Sequence, residues 1–269
     1  MRRRARFSIL AIVVATWTIL ATSSPAGAIT FGTNDGGRHP NVGSLVGVVP
    51  GVGPVQWCSG TLISPTVFLT ASHCFAGFDD IEFAVTFDEV LDAGADGIVD
   101  PSVNLLTGTR HMNPLYASGG ANNTFDVAVF VLDEAQAAAP AALPPAGLLD
   151  SKAARSASYT AVGYGTIRDD KKTGPHSLDL GTRRKFVEQT VNSVAKSWVT
   201  FSMNPSTGNG GTCYGDSGGP HFLGAGASET NVVVAVTVTG DRWCRSTDKS
   251  YRLDTTSARD FLGQFVTLP

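Results

Sequence analysis

The segment GTCYGDSGGP at residues 211–220 gathers four glycines around one serine and one aspartate, which suits a nucleophile that bare backbone and ligand must approach. A serine hydroxyl is a weak nucleophile near neutral pH and needs a base to take its proton. His73, in TASHC, and Asp126, in DVAVF, have the chemistry of a base and of the group that orients it. Each is weak evidence alone, because a histidine beside a cysteine is usually structural and an aspartate before a strand is usually a turn residue.

The order of these residues along the chain separates two classes of hydrolase. GDSGG at residues 215–219 fits the G-x-S-x-G pattern of α/β-hydrolases, which place the acid and the histidine after the serine. Here the one downstream histidine, His221, lies only four residues beyond Ser217. The alternating helices and parallel strands of that fold are also missing from the sequence pattern. The opposite order, His73, Asp126 and then Ser217, is therefore favoured.

The start of the sequence is typical of a secretory signal peptide. Four arginines within residues 2–6 precede an apolar run at residues 7–21, and TSSPAGA at residues 22–28 ends in a small-x-small pattern. The apolar run is shorter than the ~20 residues that span a bilayer, which argues against a membrane anchor. We predict a signal peptide at residues 1–28, cleavage after Ala28, and a secreted, extracellular chain that is free of the membrane.

Composition narrows the class of the exported part. The chain has 269 residues, 42% of them hydrophobic, and a net charge of −3, with no basic stripe after the first residues. A nucleic-acid partner is therefore not expected. Outside the cytoplasm the four cysteines predict disulfides, although sequence alone leaves three pairings open. Pairing within each half of the chain, Cys58–Cys74 and Cys213–Cys244, is the prediction that we carry forward.

The elements that must position these residues read as short strands. Eight apolar or β-branched runs, separated by Gly, Pro, Asp and Asn clusters, predict antiparallel β structure at residues 42–49, 55–57, 66–70, 127–132, 159–162, 187–191, 198–201 and 232–238. An Ala/Pro-rich stretch at residues 135–147 divides them and predicts a connector. A helix is expected only at the C-terminus, capped by Asp254. The polar run at residues 168–185 is expected to be an exposed loop.

In combination, TASHC, DVAVF and GDSGGP make the sequence resemble the trypsin/chymotrypsin family of serine peptidases. Fainter similarity is carried by CSGTLIS at residues 58–64, HMNPLY at 111–116, VGYG at 162–165 and YRLDTT at 251–256. The resemblance covers nearly everything after the signal peptide. It implies an all-β peptidase domain at residues 29–269, made of two six-stranded antiparallel β-barrels with the active site between them. We place the first barrel at about 41–134, the connector at about 135–150, the second barrel at about 155–253 and a C-terminal α-helix at about 254–267.

The resemblance also implies roles for the conspicuous residues. His73, Asp126 and Ser217 match the catalytic triad, and the N–H groups of Gly215 and Ser217 match the oxyanion hole. The implied reaction is peptide-bond hydrolysis through an acyl-enzyme. A triad-bearing esterase is the first alternative. A non-catalytic binding homologue is the second, although no catalytic residue is missing.

Asp216 matches a family position that receives the amino group of the processed N-terminus. Cleavage after Ala28 would expose Ile29 followed by Thr30 and Phe31, which resembles the family's Ile-Val-Gly-Gly start but departs from it at these two residues. We therefore predict an activation ion pair between Ile29 and Asp216. Signal-peptide removal would itself activate the enzyme.

The specificity pocket is expected at three positions. Gly211, six residues before Ser217, stands where trypsins carry an aspartate, so cleavage after Lys or Arg is not expected. Thr239 matches a wall position that is often glycine and would narrow the pocket. Lys249 matches a position that can face the pocket, where it would favour an acidic side chain. Small apolar side chains are an equal alternative.

No cofactor and no metal are expected for this chemistry. The acidic stretch at residues 79–100 includes Asp92, Asp96 and Asp100, in a region where some relatives bind calcium. Their spacing does not match an EF-hand, so a solvated loop is favoured over a calcium site. The expected partner is a protein or peptide substrate, and the chain is expected to be a monomer.

Overall fold

The structure is a computed structural model that describes residues 29–91, 97–167 and 183–269. The predicted signal peptide and the candidate calcium ligands Asp92 and Asp96 lie outside the described residues. No helix among the described residues is both long and apolar enough to cross a membrane. The described strands are β1 Thr33–Asn34, β2 Val42–Val49, β3 Gly53–Ser64, β4 Val67–Thr70, β5 Glu82–Thr86, β6 Gly108–Met112, β7 Ala128–Leu132, β8 Ser158–Gly163, β9 Lys185–Val194, β10 Trp198–Ser202, β11 Pro220–Leu223, β12 Val233–Gly240 and β13 Thr247–Arg252.

The first half of the chain forms a six-stranded antiparallel sheet in the order β5-β2-β3-β4-β7-β6. Its two edge strands approach each other, because Val85 in β5 bridges to Leu106 just before β6. The sheet therefore curls into a half-barrel around an apolar core. Phe68, Phe75 and Phe130 are among the buried members of that core.

The second half closes into a complete barrel. Its strands run β9-β10-β13-β12-β11-β8, and β8 pairs back onto β9, while β1 extends the sheet beyond β9. All these pairings are antiparallel. The predicted all-β class is thus confirmed, with a closed six-stranded barrel in the second half and a curled six-stranded sheet in the first.

The C-terminal helix is shorter than predicted, and a different residue caps it. The two α-helices of the described residues are α1 Lys152–Arg155 and α2 Thr256–Leu262. The Thr255 hydroxyl accepts the Ala258 N–H at the start of α2. Asp254 is not the cap, because its carboxylate accepts hydrogen bonds from Arg252 and from the Leu149 N–H.

The end of the polar run at residues 168–185 is buried, contrary to the expected exposed loop. Residues 168–182 lie outside the described residues, whereas Arg184 and Lys185 are 2% exposed. Arg184 donates to Asp35 at 2.9 Å and to the hydroxyl of Tyr164 at 3.0 Å. This buried pair ties the N-terminal segment to the barrel.

Candidate active site

His73 lies in a short 3-10 turn that follows β4. Ser72, directly before it, donates its hydroxyl to the Val127 carbonyl at 2.8 Å. Cys74, directly after it, forms a disulfide with Cys58 in β3, as predicted. Both neighbours of His73 are therefore fixed, while its side chain remains 28% exposed.

Asp126 holds His73 through two hydrogen bonds. The His73 backbone N–H donates to Asp126 Oδ1 and its ring Nδ1 lies beside Oδ2, each at 2.9 Å. Asp126 itself is 3% exposed. Because a carboxylate accepts, Nδ1 carries the proton in this pairing and Nε2 keeps its lone pair. This is the tautomer that a general base requires.

The backbone before Asp126 is held in an unusual conformation. Phe125 has φ of 54°, in the left-handed region that bulky residues rarely adopt. Its N–H donates to Asn123 Oδ1 at 3.1 Å, and the hydroxyl of Tyr251 donates to the same oxygen at 2.8 Å. Since Tyr251 lies in β13, the second half of the chain helps to aim the Asp126 carboxylate.

Ser217 lies where the two halves meet. Its carbonyl accepts the Ser59 N–H of β3 at 2.8 Å, and the N–H of Gly218 donates to the Thr237 carbonyl of β12 at 2.8 Å. Cys74 Sγ lies 3.9 Å from the Ser217 carbonyl oxygen, so the residue after His73 contacts the serine backbone. The fold therefore brings the backbone of Ser217 next to the turn that holds His73.

The loop before Ser217 turns at Gly215, which has φ of 92°. The carbonyl of Tyr214 accepts the Thr166 N–H at 2.7 Å. In a planar trans peptide the N–H points opposite to the carbonyl. The Gly215 N–H is thus directed away from Thr166, as an oxyanion donor would have to be.

Asp216 is a buried carboxylate with two backbone donors. The Gly165 N–H donates to Oδ1 at 2.7 Å and the Cys213 N–H to Oδ2 at 2.8 Å, and the residue is 0% exposed. Burial raises the pKa of this carboxyl to about 7, and the charge of Asp248 acts in the same direction, against the two N–H donors. Such a group is expected to accept a cation readily.

The N-terminal segment packs into the second barrel. Ile29 is 0% exposed and packs with Ala161 and Val187. Thr30 and Gly211 exchange two backbone hydrogen bonds, at 2.8 and 3.0 Å. The predicted processing site is therefore anchored to the segment that carries Asp216 and Ser217.

Comparison with known families shows which family the chain belongs to. A sequence model of the family described as Trypsin matches residues 36–261. The chain belongs to the trypsin family. The match includes His73, Asp126 and Ser217.

Individual relatives carry different names. A protein named Trypsin from Saccharopolyspora erythraea is 28% identical over 198 residues, covering 71% of this chain and 78% of that protein. Brachyurin from Leptuca pugilator is 28% identical over 173 residues, covering 62% of this chain and 70% of that protein. Glucanase inhibitor protein 3 from Phytophthora infestans is 24% identical over 236 residues, covering 84% of this chain and 88% of that protein. The family therefore includes relatives named as peptidases and relatives named as inhibitors.

A cavity of about 130 Å³ opens beside Ser217. Asp241 shapes its rim, because its carboxylate accepts four backbone N–H groups of residues 243–247, which lowers its pKa against the effect of burial. The predicted disulfide Cys213–Cys244 joins two of the wall segments. The lining residues are Thr212, Cys213, Tyr214, Ser217, Thr237, Val238, Thr239, Gly240, Asp241 and Cys244.

The three predicted specificity residues have different positions around this cavity. Thr239 lines it. Gly211 packs against Met203, where an added Cβ would lie 2.1 Å from the Met203 side chain. Lys249 places its ammonium 4.2 Å from the ring centroid of Trp198, and neither Gly211 nor Lys249 is in the described lining.

A polar network that the sequence did not indicate lies behind the cavity wall. Asp248 is 0% exposed and accepts the hydroxyl of Thr212 at 2.7 Å and that of Ser250 at 2.6 Å. His221, also 0% exposed, contacts the hydroxyls of Ser250 and Thr237 through Nε2. Burial lowers the pKa of His221, although the charge of Asp248 opposes that shift. Only the pairing of neighbouring strands reveals the network, because His221, Thr237 and Asp248 lie on three different strands.

Metal-ligating side chains cluster at one place in the described residues. Cys58, His73 and Cys74 have ligand atoms within 4.8 Å of one another. Both sulfurs are bonded to each other in the disulfide. The cluster is therefore suited to holding the His73 turn and not to binding a metal ion.

Proposed function

We propose that the chain is a secreted serine endopeptidase. The observation that carries this proposal is the pair of hydrogen bonds from His73 to Asp126, with Cys74, the residue after His73, in contact with the backbone of Ser217. In a trypsin-family chain this arrangement supports general-base catalysis, because it leaves Nε2 available to accept a proton.

The proposed reaction has two stages. His73 Nε2 takes the Ser217 hydroxyl proton as the oxygen attacks the substrate carbonyl, and the Gly215 and Ser217 N–H groups stabilise the oxyanion. His73 then gives its proton to the leaving amine, which leaves an acyl-enzyme. Water, activated by the same imidazole, releases the acid. Asp126 stabilises the imidazolium in both stages and keeps its own charge.

The test compares labelling and turnover in the chain that begins at Ile29. The wild type should react with a fluorophosphonate and cleave an unstructured protein, and Ser217→Ala should do neither. Thr207→Ala, a change in an exposed turn, is the matched control and should behave as the wild type. A wild type that neither labels nor cleaves would remove the peptidase proposal.

The names of two relatives favour a second candidate. Glucanase inhibitor protein 3, from Phytophthora infestans, is 24% identical to this chain. Glucanase inhibitor protein 1, from Phytophthora sojae, is 27% identical to it. A non-catalytic binding protein would fold normally but fail to label at Ser217. An esterase would label and hydrolyse simple esters, yet leave peptides intact. An unlabelled portion of the same preparation, given an ester and a peptide of equal sequence, separates these functions.

We propose further that removal of residues 1–28 activates the enzyme. A free amino group at Ile29 would pair with the buried Asp216 carboxylate, for which the described partners are two backbone N–H groups. A charge this deeply buried is costly without a partner. A chain extended by a few residues before Ile29 should fold but turn over slowly, and full activity with the extension would contradict the idea.

For specificity we propose a small side chain before the cleaved bond, and not Lys or Arg. Thr239 narrows the cavity, and Gly211 supplies no carboxylate. Asp248 is buried behind Thr212 and engaged by hydroxyl donors, so it does not offer a free oxygen to a basic side chain. The position of Lys249 over Trp198 removes the support for an acidic preference. A cleavage profile on a peptide library tests this choice directly.

We propose that the reaction needs no cofactor and no metal, because every group in the scheme belongs to the chain. The proposed partner is a protein or peptide substrate, met by a monomer outside the cell. Full activity in the presence of a strong chelator is the expected result. Loss of activity that calcium restores would instead point to a calcium site.

A further inference from the structure

The carbonyl of Gly215 is held by two side chains from the first half of the chain. Gln56 Nε2 donates to this oxygen at 2.9 Å, and the Ser59 hydroxyl donates to it at 3.0 Å. The Gln56 amide also lies 3.3 Å from the Cys58 carbonyl, which fixes it against its own strand. Both donors belong to β3, whereas Gly215 belongs to the loop that carries Ser217.

Gly215 also packs directly on the Gln56 amide. A Cβ added at Gly215 would lie 2.5 Å from Gln56 Oε1, and the glycine has φ of 92°. Glycine therefore permits both the backbone conformation and the close approach. Any movement of the Gln56 side chain would change the surface against which this loop rests.

These contacts fix the peptide planes on both sides of the Gly215 α-carbon. Thr166 holds the preceding plane through the Tyr214 carbonyl, at 2.7 Å. Gln56 and Ser59 hold the following plane through the Gly215 carbonyl. The Gly215 N–H lies in the preceding plane, with the Tyr214 carbonyl, and its place in the site also depends on where the Gly215 α-carbon is held. Because glycine samples positive and negative φ with similar ease, release of the following plane would let that α-carbon shift and carry the attached N–H with it.

We propose that Gln56 is a positioning residue for the oxyanion hole. By holding the Gly215 carbonyl, it fixes the Gly215 α-carbon and, together with Thr166 on the preceding plane, keeps the Gly215 N–H aimed at the oxygen that becomes negative during attack. The inference rests on the peptidase function proposed above. Gln56 contacts no reacting atom. The negative charge on the substrate oxygen, which the Gly215 N–H would stabilise, develops only in the transition state. Its loss should therefore lower kcat and leave KM nearly unchanged.

The test uses Gln56→Met in the chain that begins at Ile29. Methionine has a similar length and no N–H donor, so it removes the hydrogen bond and keeps most of the packing. We expect kcat to fall about tenfold, the effect of one neutral hydrogen bond, with KM within about twofold. The inhibition constant of a peptide aldehyde, whose adduct places an oxyanion in the same site, should rise by the same factor as kcat falls.

Gln136→Met is the matched control. Gln136 is also a half-buried glutamine whose Nε2 donates to a backbone carbonyl, that of Glu134 at 3.1 Å, but it lies in the connector. Its kcat and aldehyde inhibition should equal those of the wild type. Should Gln56→Met fail to fold, Gln56→Glu keeps the size, lacks the donor and should show a comparable loss of kcat.

The outcomes separate this inference from the function on which it rests. An active wild type with unchanged kcat in folded Gln56→Met overturns the inference alone. A rise in KM without a change in kcat or in aldehyde inhibition also overturns it, because Gln56 would then serve ordinary substrate binding. An inactive wild type overturns the peptidase proposal and this inference together.

Discussion

The two halves of the molecule build their shares of the site from different interiors. Within the described part of residues 41–134, Asp126 is the one buried acidic or basic side chain, and the core around it is apolar and aromatic. The half that supplies Ser217 buries many such groups among its described residues. They are Arg184, Lys185, Asp216, His221, Asp248, Arg252 and Asp254.

This difference assigns different sensitivities to the two halves. Among the described residues, the apolar core of the first half contains no titratable side chains. The residues that support His73 and Asp126 from that core therefore do not change charge with pH. A buried charge depends on its partners and on its protonation state. We therefore expect the pH dependence of stability and the effect of N-terminal processing to come from the side of Ser217, and changes in the core of the first half to act through geometry.

The largest expected effect comes from the first half. Asp126→Asn should lower kcat by about 10⁴-fold, because an amide in place of the carboxylate favours the wrong imidazole tautomer. The fold should be retained, since the side chain keeps its size and one acceptor oxygen. Steady-state kinetics and a thermal melt together measure this. Activity within tenfold of wild type would mean that Asp126 does not orient His73.

Removing each disulfide compares the halves directly. Cys58–Cys74 closes a separation of 16 residues and Cys213–Cys244 one of 31. Each double Cys→Ala variant should lose about 3 kcal/mol of unfolding free energy in urea, slightly more for the longer loop. Kinetics should differ: the first pair holds the His73 turn, so kcat falls, whereas the second joins walls of the cavity, so KM rises. The reverse pattern would contradict the proposal that the first disulfide supports catalysis and the second supports substrate binding.

Much of the fold follows from the alternation of short apolar runs and turn residues. The run at residues 42–49 coincides with β2, and three runs in the second half fall within β8, β9 and β10. The fourth, at residues 232–238, begins one residue before β12. Five of the described strands have no predicting run: β1, β5, β6, β11 and β13. Of these, β6 and β13 are polar: GTRHM and TDKSYR. Their pairing partners, and not their own residues, make them strands, so local pattern could not reveal them.

The candidate site divides in the same way. His73, Asp126 and Ser217 are set in short motifs that a single sequence displays. The network of His221 and Asp248 depends on register between β11, β12 and β13, which no local pattern encodes. Lys249 shows the limit most clearly, because its position predicts a pocket residue but its side chain packs on Trp198. Side-chain direction on a strand is set by pairing, and a shift of one residue reverses it.

Stability of the unprocessed chain should fall as pH rises from about 4 to about 7. The folded chain raises the pKa of Asp216 from an ordinary 3.8 to about 7, so in this window the native state holds a proton that the unfolded state has released. Because the native state binds more protons than the unfolded state, the free energy of unfolding falls as pH rises. For one proton the fall is at most ~1.4 kcal/mol per pH unit. Urea unfolding of a Ser217→Ala chain extended before Ile29 measures the slope.

His39 is the internal control for this slope. Burial alone would lower its pKa, but hydrogen bonds with Asp35 and Glu229 raise it, so its contribution also fades as pH rises past its ordinary value. Asp35 behaves oppositely: burial opposes the shift, yet His39 and Arg184 lower its pKa to about 2, so its contribution is lost only in strong acid. In Asp216→Asn, the unfolding free energy should no longer change with pH between pH 4 and 6. The decline that His39 causes at higher pH should remain. An unchanged slope would show that Asp216 is charged without the Ile29 amine.

The smallest effects should come from the two sides of the cavity wall. Thr239→Gly should widen the cavity and shift cleavage toward larger side chains, because it removes a lining side chain next to Ser217. Lys249→Met should change the preference between small and acidic side chains by less than about twofold, since its ammonium lies over Trp198 and Lys249 is not in the described lining of the cavity. The measurement is kcat/KM on matched peptides that differ at one position. A marked loss of cleavage after acidic side chains in Lys249→Met would mean that this lysine leaves Trp198 when substrate binds. The second half of the molecule would then respond to substrate as well as to pH.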